Sequence, residues 1–139
     1  SLLVDLDDGP FAFLLGGGHQ GTLFEPTVIV DAPVTTKVSC EEIFAPVVVV
    51  HQVEDVKQAI RVANNSAYGL QAGIITANLP EALEAARQLD AGSVTINDAC
   101  FRSDLMPYGG VKQSGLGREG VRFAVEEMTE PKVIVFRLA

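Results

Sequence analysis

Val47-Val48-Val49-Val50 constrains this chain more than any other stretch. Successive side chains of a strand point to opposite faces, so a run that is apolar at every position offers no face to water. Pro46 to His51 therefore reads as a strand buried on both faces, as strands of parallel sheets are. The pattern downstream agrees. Asp55 to Asn64 reads as a helix, with Val56, Ala59, Ile60 and Ala63 on one stripe. Gly69 to Thr76 reads as a second strand. Asn78 is a good N-cap with Glu81 three residues later, and Leu83, Ala86 and Leu89 share one side of the helix that follows. Gly92 to Asn97 is a third strand, Arg118 to Met128 a helix, and Lys132 to Leu138 a final strand. Strand, helix, strand, helix, strand predicts an α/β fold with a parallel sheet and right-handed crossovers. No element is expected before Leu23, because Asp7-Asp8-Gly9-Pro10 breaks any helix and Gly16-Gly17-Gly18 makes a turn or loop.

Composition narrows the function classes. A chain of 139 residues, 47% hydrophobic, is long enough for one domain with a real core. Ten Lys and Arg against eighteen acids cannot easily build the basic face that nucleic acid or an anionic membrane surface requires. No apolar run reaches membrane-spanning length and no signal-peptide pattern opens the chain. Cys40 and Cys100, far apart, give neither a metal spacing nor a CxxC motif, which predicts a reduced, cytoplasmic protein. His19 and His51 have no second His at a ligand spacing, so no metal is expected. The start at Ser1 without Met suggests a fragment or a processed chain.

In open parallel sheets ligands sit at the carboxyl ends of the strands, which directs attention to the turn-rich loop from Asp98 to Gly117. Gly115-Leu116-Gly117-Arg118-Glu119-Gly120 matches GxGxxG, but Val111 to Ser114 is a polar loop where a dinucleotide fingerprint needs a strand. The bland reading is a glycine-shaped loop that turns into the helix at Arg118. Lys112 is followed by Gln113, which breaks the Walker pattern as well. Asn97 reads as a turn former before a catalytic group. Phe101, Arg102 and Tyr108 fit either a pocket with one anion contact or a solvated Arg over a packed Phe. Cys100 has no His near in sequence to activate it as a nucleophile.

Read together, Glu41-Glu42-Ile43-Phe44-Ala45-Pro46-Val47 and the stretch "PYGGVKQSGLGRE" from Pro107 to Glu119 resemble the aldehyde dehydrogenase superfamily. "GTLFEPTVI", "YGLQAGIIT" and "MTEPKVIVF" resemble that family's flanking segments in the same order, from about Gly16 to the end. Ala45 stands where the family usually has Gly, and the opening fifteen residues look unlike the family's helix there.

The resemblance implies the fold of that family's C-terminal segment, a three-layer parallel sheet with flanking helices. Residues 1–128 would be the C-terminal part of the catalytic domain and 129–139 an oligomerisation strand, with the nucleotide-binding domain absent. It implies an NAD(P)-dependent oxidation of an aldehyde through a cysteine thioester. The nucleophile, the general base and the oxyanion-hole Asn would lie upstream, so neither Cys40 nor Cys100 aligns with the nucleophile and this piece alone would be inactive. Glu42 would bind the nicotinamide ribose hydroxyls of NAD or NADP, and Phe44 would contact the ribose and nicotinamide. Glu119 would support the nucleophile pocket, through a proton relay or simply as an acid in the first turn of a helix. Cys100, Phe101, Arg102 and Tyr108 would line the aldehyde's access tunnel, and Arg102 there suggests a small anionic aldehyde. Arg118 and Glu130 would be ion-pair partners at a subunit contact, and the last strand would pair with a second copy. Two competing expectations remain: an inactive truncated chain serving as an assembly module, and a phosphate-binding α/β domain built on the glycine loop.

Overall fold

Residue 12 marks the start of what the computed structural model describes; it covers residues 12–99 and 101–138, in two units that meet between Val62 and Ala63. In the first unit β4 (Thr27–Val30) and β5 (Val47–Val50) pair in parallel, Thr27 opposite Val47 and Val30 opposite Val50. Their crossover contains α1 (Lys37–Cys40). β1 (Ala12–Leu15) pairs antiparallel with the other side of β4, giving the order β1-β4-β5. β2 (His19–Gln20) and β3 (Leu23–Phe24) form a small hairpin in which the His19 and Phe24 rings stack at 5.4 Å. β1 and β2 lie where no element was expected.

The core of this unit is Ile29, Ala32 and Val38, with Ile43, Val47 and Val49 packed against it. β5 corrects the reading of a strand buried on both faces. Val47 and Val49 face the core, whereas Val48 and Val50 are exposed. β5 is the outer strand of its sheet, and within the unit only one of its faces has a core to meet. α2 (Val56–Asn64) buries Ile60 and half-buries Val56 and Ala59, as its stripe predicted, while Ala63 is exposed.

In the second unit the expected strand from Gly69 to Thr76 divides at Leu70. β6 (Tyr68–Gly69) pairs antiparallel with β9 (Val111–Lys112), inside the expected loop, and β7 (Gln71–Ile74) pairs in parallel with β8 (Ser93–Ile96). α3 (Leu79–Gln88) is the crossover between β7 and β8. The Asn78 side chain caps it, accepting from the Glu81 N–H at 3.3 Å. Its buried residues are Ala82 and Ala85, while Leu83 is exposed, so the expected stripe is rotated. Alanine lets the helix backbone lie close to β7 and β8, which a Leu at the contact would prevent. The α/β class stands, with parallel pairing at each helical crossover.

Two boundaries shift at the end. α4 (Val121–Met128) starts later than Arg118 because Gly120 has φ 112°, outside the helical region. Residues 130–138 form no strand and are exposed. A strand needs a hydrogen-bonding partner, and among the described residues none pairs with this segment. No described helix is long and apolar enough to cross a membrane.

Candidate functional site

The loop after β8 is positioned by backbone approach. Gly92, at the start of β8, takes no side chain: a Cβ there would overlap the carbonyl oxygen of Gly109. Gly109 follows Tyr108, whose backbone exchanges two hydrogen bonds with Glu119, at 3.1 Å and 2.6 Å. That bridge closes the loop on itself and holds the Tyr108 and Glu119 side chains beside each other. Arg102 completes the group. Its Nη2 donates to Glu119 Oε2 at 2.6 Å, and its guanidinium carbon lies 4.8 Å from the centre of the Tyr108 ring. The arrangement is a cation held on an aromatic face with one carboxylate at its edge.

These three residues line a cavity of about 290 Å³ with Ser103, Asp104 and Met106. Tyr108 and Glu119 also border a second cavity of about 440 Å³, formed largely by the glycine loop from Ser114 to Arg118. Gly115, Gly117 and Gly120 all have positive φ, which supports the bland reading of GxGxxG as a tight loop. Arg118 serves that loop: its Nη1 donates to the carbonyls of Gly110 at 2.9 Å and Gly117 at 2.6 Å. Its backbone N–H donates to Glu127 Oε1 at 3.0 Å. Glu127 was not singled out in the sequence. A carboxylate on an exposed helix nine residues from its donor leaves no pattern to read.

The first unit carries the other two expected residues. Glu41 ends α1, its N–H donating to the Lys37 carbonyl at 2.8 Å, and the chain then runs without helix or strand to Pro46, whose carbonyl accepts from Thr27 at 2.8 Å. Between these fixed ends Ile43 turns into the core. Its neighbours Glu42 and Phe44 are both exposed, Phe44 at 91%. No hydrogen bond engages the Glu42 carboxylate among the described residues. An idle carboxylate and a bare aromatic ring, one residue apart on a braced segment, suit a ligand that carries hydroxyls and a flat ring.

Of the expected tunnel residues, Arg102 and Tyr108 meet at one cavity. Phe101 is exposed and does not border it. Cys100 lies outside the described residues. Cys40 is a free, half-buried thiol at the end of α1. Asn97 is a turn former: it has φ 57° and both polar atoms of its side chain engage the Thr76 backbone.

Comparison with known proteins gives consistent results. The sequence model of the Aldehyde dehydrogenase family matches residues 8–134. The 3-sulfolactaldehyde dehydrogenase of Priestia aryabhattai is 44% identical over 125 residues, 89% of this chain and 26% of the relative. Aldehyde dehydrogenase 21 from Physcomitrella patens, solved with the reaction product succinate, matches with a TM-score of 0.90 at 42% identity. The match covers 98% of this chain and 28% of that one. Glyceraldehyde-3-phosphate dehydrogenase GapN from Methanocaldococcus jannaschii, complexed with NADP, matches with a TM-score of 0.81 at 40% identity, over 91% of this chain and 28% of that one. A further solved relative is complexed with NAD+. The chain spans about a quarter of the length of the curated relatives it matches.

Proposed function

Since this chain belongs to the aldehyde dehydrogenase family, we propose that it is the C-terminal part of an NAD(P)-dependent enzyme that oxidises a short, anionic aldehyde to the acid. In this reading residues 1–128 complete a catalytic domain and residues 129–139 form an arm that pairs with a second copy. The reactive cysteine, its base and the nucleotide-binding domain come from outside this chain, and the complete enzyme is cytoplasmic.

Glu42 and Phe44 are the residues that would hold the nicotinamide end of the cofactor, which when bound supplies the hydride acceptor. The carboxylate of Glu42 is placed to accept from two ribose hydroxyls, and the ring of Phe44 limits where the nicotinamide swings. Ile43, anchored in the core, keeps both facing outward. Glu119 borders both cavities and would support the nucleophile pocket as a proton-holding group.

The observation that carries the anionic substrate is the Arg102 guanidinium, seated on Tyr108 at the edge of the 290 Å³ cavity. A guanidinium reads carboxylate, sulfonate or phosphate through paired N–H donors. The sulfonate of sulfolactaldehyde, the carboxylates of succinate and the phosphate of glyceraldehyde-3-phosphate, named for the three relatives, support the same chemistry. The test compares kcat/KM for succinic semialdehyde and butyraldehyde in the complete enzyme, which differ by one distal carboxylate. Arg102→Ala is expected to lower the ratio about tenfold or more, the usual worth of a hydrogen bond to a charged group. An unchanged ratio rejects the anionic substrate.

A further inference from the structure

We propose that Arg102 is a receptor whose occupant, in the absence of substrate, is the Glu119 carboxylate, so that an anionic ligand enters by displacing Glu119 from the guanidinium. The proposal rests on the anion contact assigned to Arg102 above and adds an order of events to it.

Three observations lead there. The first is charge. The 290 Å³ cavity is lined by one guanidinium and by the residues of two carboxylates, Asp104 and Glu119. With Arg102 already matched to Glu119, a further anion would meet a net negative wall. Binding becomes favourable only when Glu119 gives up its place.

The second is the strength of the resident pair. Arg102 and Glu119 meet through one N–O contact at 2.6 Å, and their side chains are 55% and 65% exposed. A single-contact pair in that much water is weak, worth a factor of about five or less in an equilibrium constant. The remaining N–H donors of Arg102 have no protein acceptor among the described residues. An incoming carboxylate or sulfonate can take two donors in parallel, a geometry that Glu119 does not use.

The third is mechanical. The backbones of Tyr108 and Glu119 are tied by their two mutual hydrogen bonds, and the guanidinium is held against the Tyr108 ring. Exchange therefore needs only a rotation of the Glu119 side chain. Loop and helix stay where they are, and the receptor remains oriented while its occupant changes. Glu119 is then set free on the side shared with the 440 Å³ cavity, which it also borders. Arrival of the anion and availability of Glu119 become a single event.

The test is calorimetric binding of succinate and of the neutral butyramide to the complete enzyme. It uses wild type, Arg102→Ala, Glu119→Gln and the double variant, with Arg102→Lys replacing Arg102→Ala should the latter fail to fold. Glu119→Gln removes the competing charge and keeps the shape of the side chain. Exchange predicts that it tightens succinate about threefold to fivefold, the worth of an exposed ion pair, and leaves the neutral butyramide unchanged. The gain must fall below about twofold when Arg102 is also replaced, because nothing is then left to compete for. A loss or no change in Glu119→Gln overturns the exchange, as does a gain that persists undiminished without Arg102, which would be plain repulsion. Succinate affinity that ignores Arg102→Ala instead overturns the anion contact itself.

Discussion

Asn97 and Thr76 exchange two hydrogen bonds: the Thr76 N–H donates to Asn97 Oδ1 at 2.8 Å, and Asn97 Nδ2 donates to the Thr76 carbonyl at 2.9 Å. The Asn side chain thus joins the ends of β7 and β8 just where the ladder stops, and its own φ of 57° starts the site loop. Asn97→Ala loses both bonds and keeps a left-handed conformation that Ala resists, at a cost of about 2 kcal/mol. Asn97→Gly loses the bonds only and should cost about half as much. Faster hydrogen exchange at the Thr76 amide, larger for Ala than for Gly, is the expected result.

Gly117 and Gly120 both have positive φ but would meet different obstacles. A Cβ at Gly117 comes within 2.6 Å of the Glu127 carboxylate, which can swing aside. At Gly120 it comes within 2.6 Å of the Met106 backbone oxygen, which cannot. Gly117→Ala is expected to cost about 1–2 kcal/mol and Gly120→Ala roughly 3 kcal/mol. Chemical denaturation of the complete enzyme should preserve that order.

Glu42 and Phe44 touch nothing that holds their unit together. Glu42→Gln and Phe44→Ala should therefore leave stability within about 0.5 kcal/mol of wild type. If they hold the cofactor as proposed, each should nonetheless raise the KM for NAD(P) about tenfold, the worth of a charge-assisted hydrogen bond or a ring contact. Ile43→Ala behaves differently: it should lower stability by about 1–2 kcal/mol and raise the same KM, because the brace is lost along with the packing. A drop in melting temperature for Glu42→Gln equal to that for Ile43→Ala would remove the distinction.

Val133, Ile134, Val135, Phe136 and Leu138 are all exposed in an unpaired segment. If a second copy pairs with this arm, Val135→Lys should shift the complete enzyme to a smaller species in sedimentation and leave its secondary structure intact. Unchanged sedimentation would mean that the arm is covered by something else.

Local chemistry was legible in the sequence where a residue acts on its immediate neighbours. The Asn78 cap, the turn at Asn97 and the presence of β5 all follow from side chains within three or four positions. Burial was less legible. Val48 and Val50 read as core, yet the face they share is bare within this unit, because apolarity does not say which surface supplies the cover. Leu83 misled for the same reason, since close packing favoured Ala82 and Ala85. The partners of Arg102 and Arg118 were hidden by distance along the chain. Glu119 lies seventeen residues beyond Arg102, and the carbonyls that Arg118 engages could be any in the loop. Of the site, residue types and motifs could be named in advance, but not who holds whom.

Gly92 lies just before β8, far in sequence from Tyr108, and it sets where the residue after Tyr108, Gly109, can lie. The depth of the site loop is thus gauged from behind, by a missing methyl group. A side chain gained at position 92 would press on the Gly109 backbone, which lines the 440 Å³ cavity, while itself facing neither cavity. Variation in what such a chain accepts can then arise at a position that no inventory of pocket residues would include.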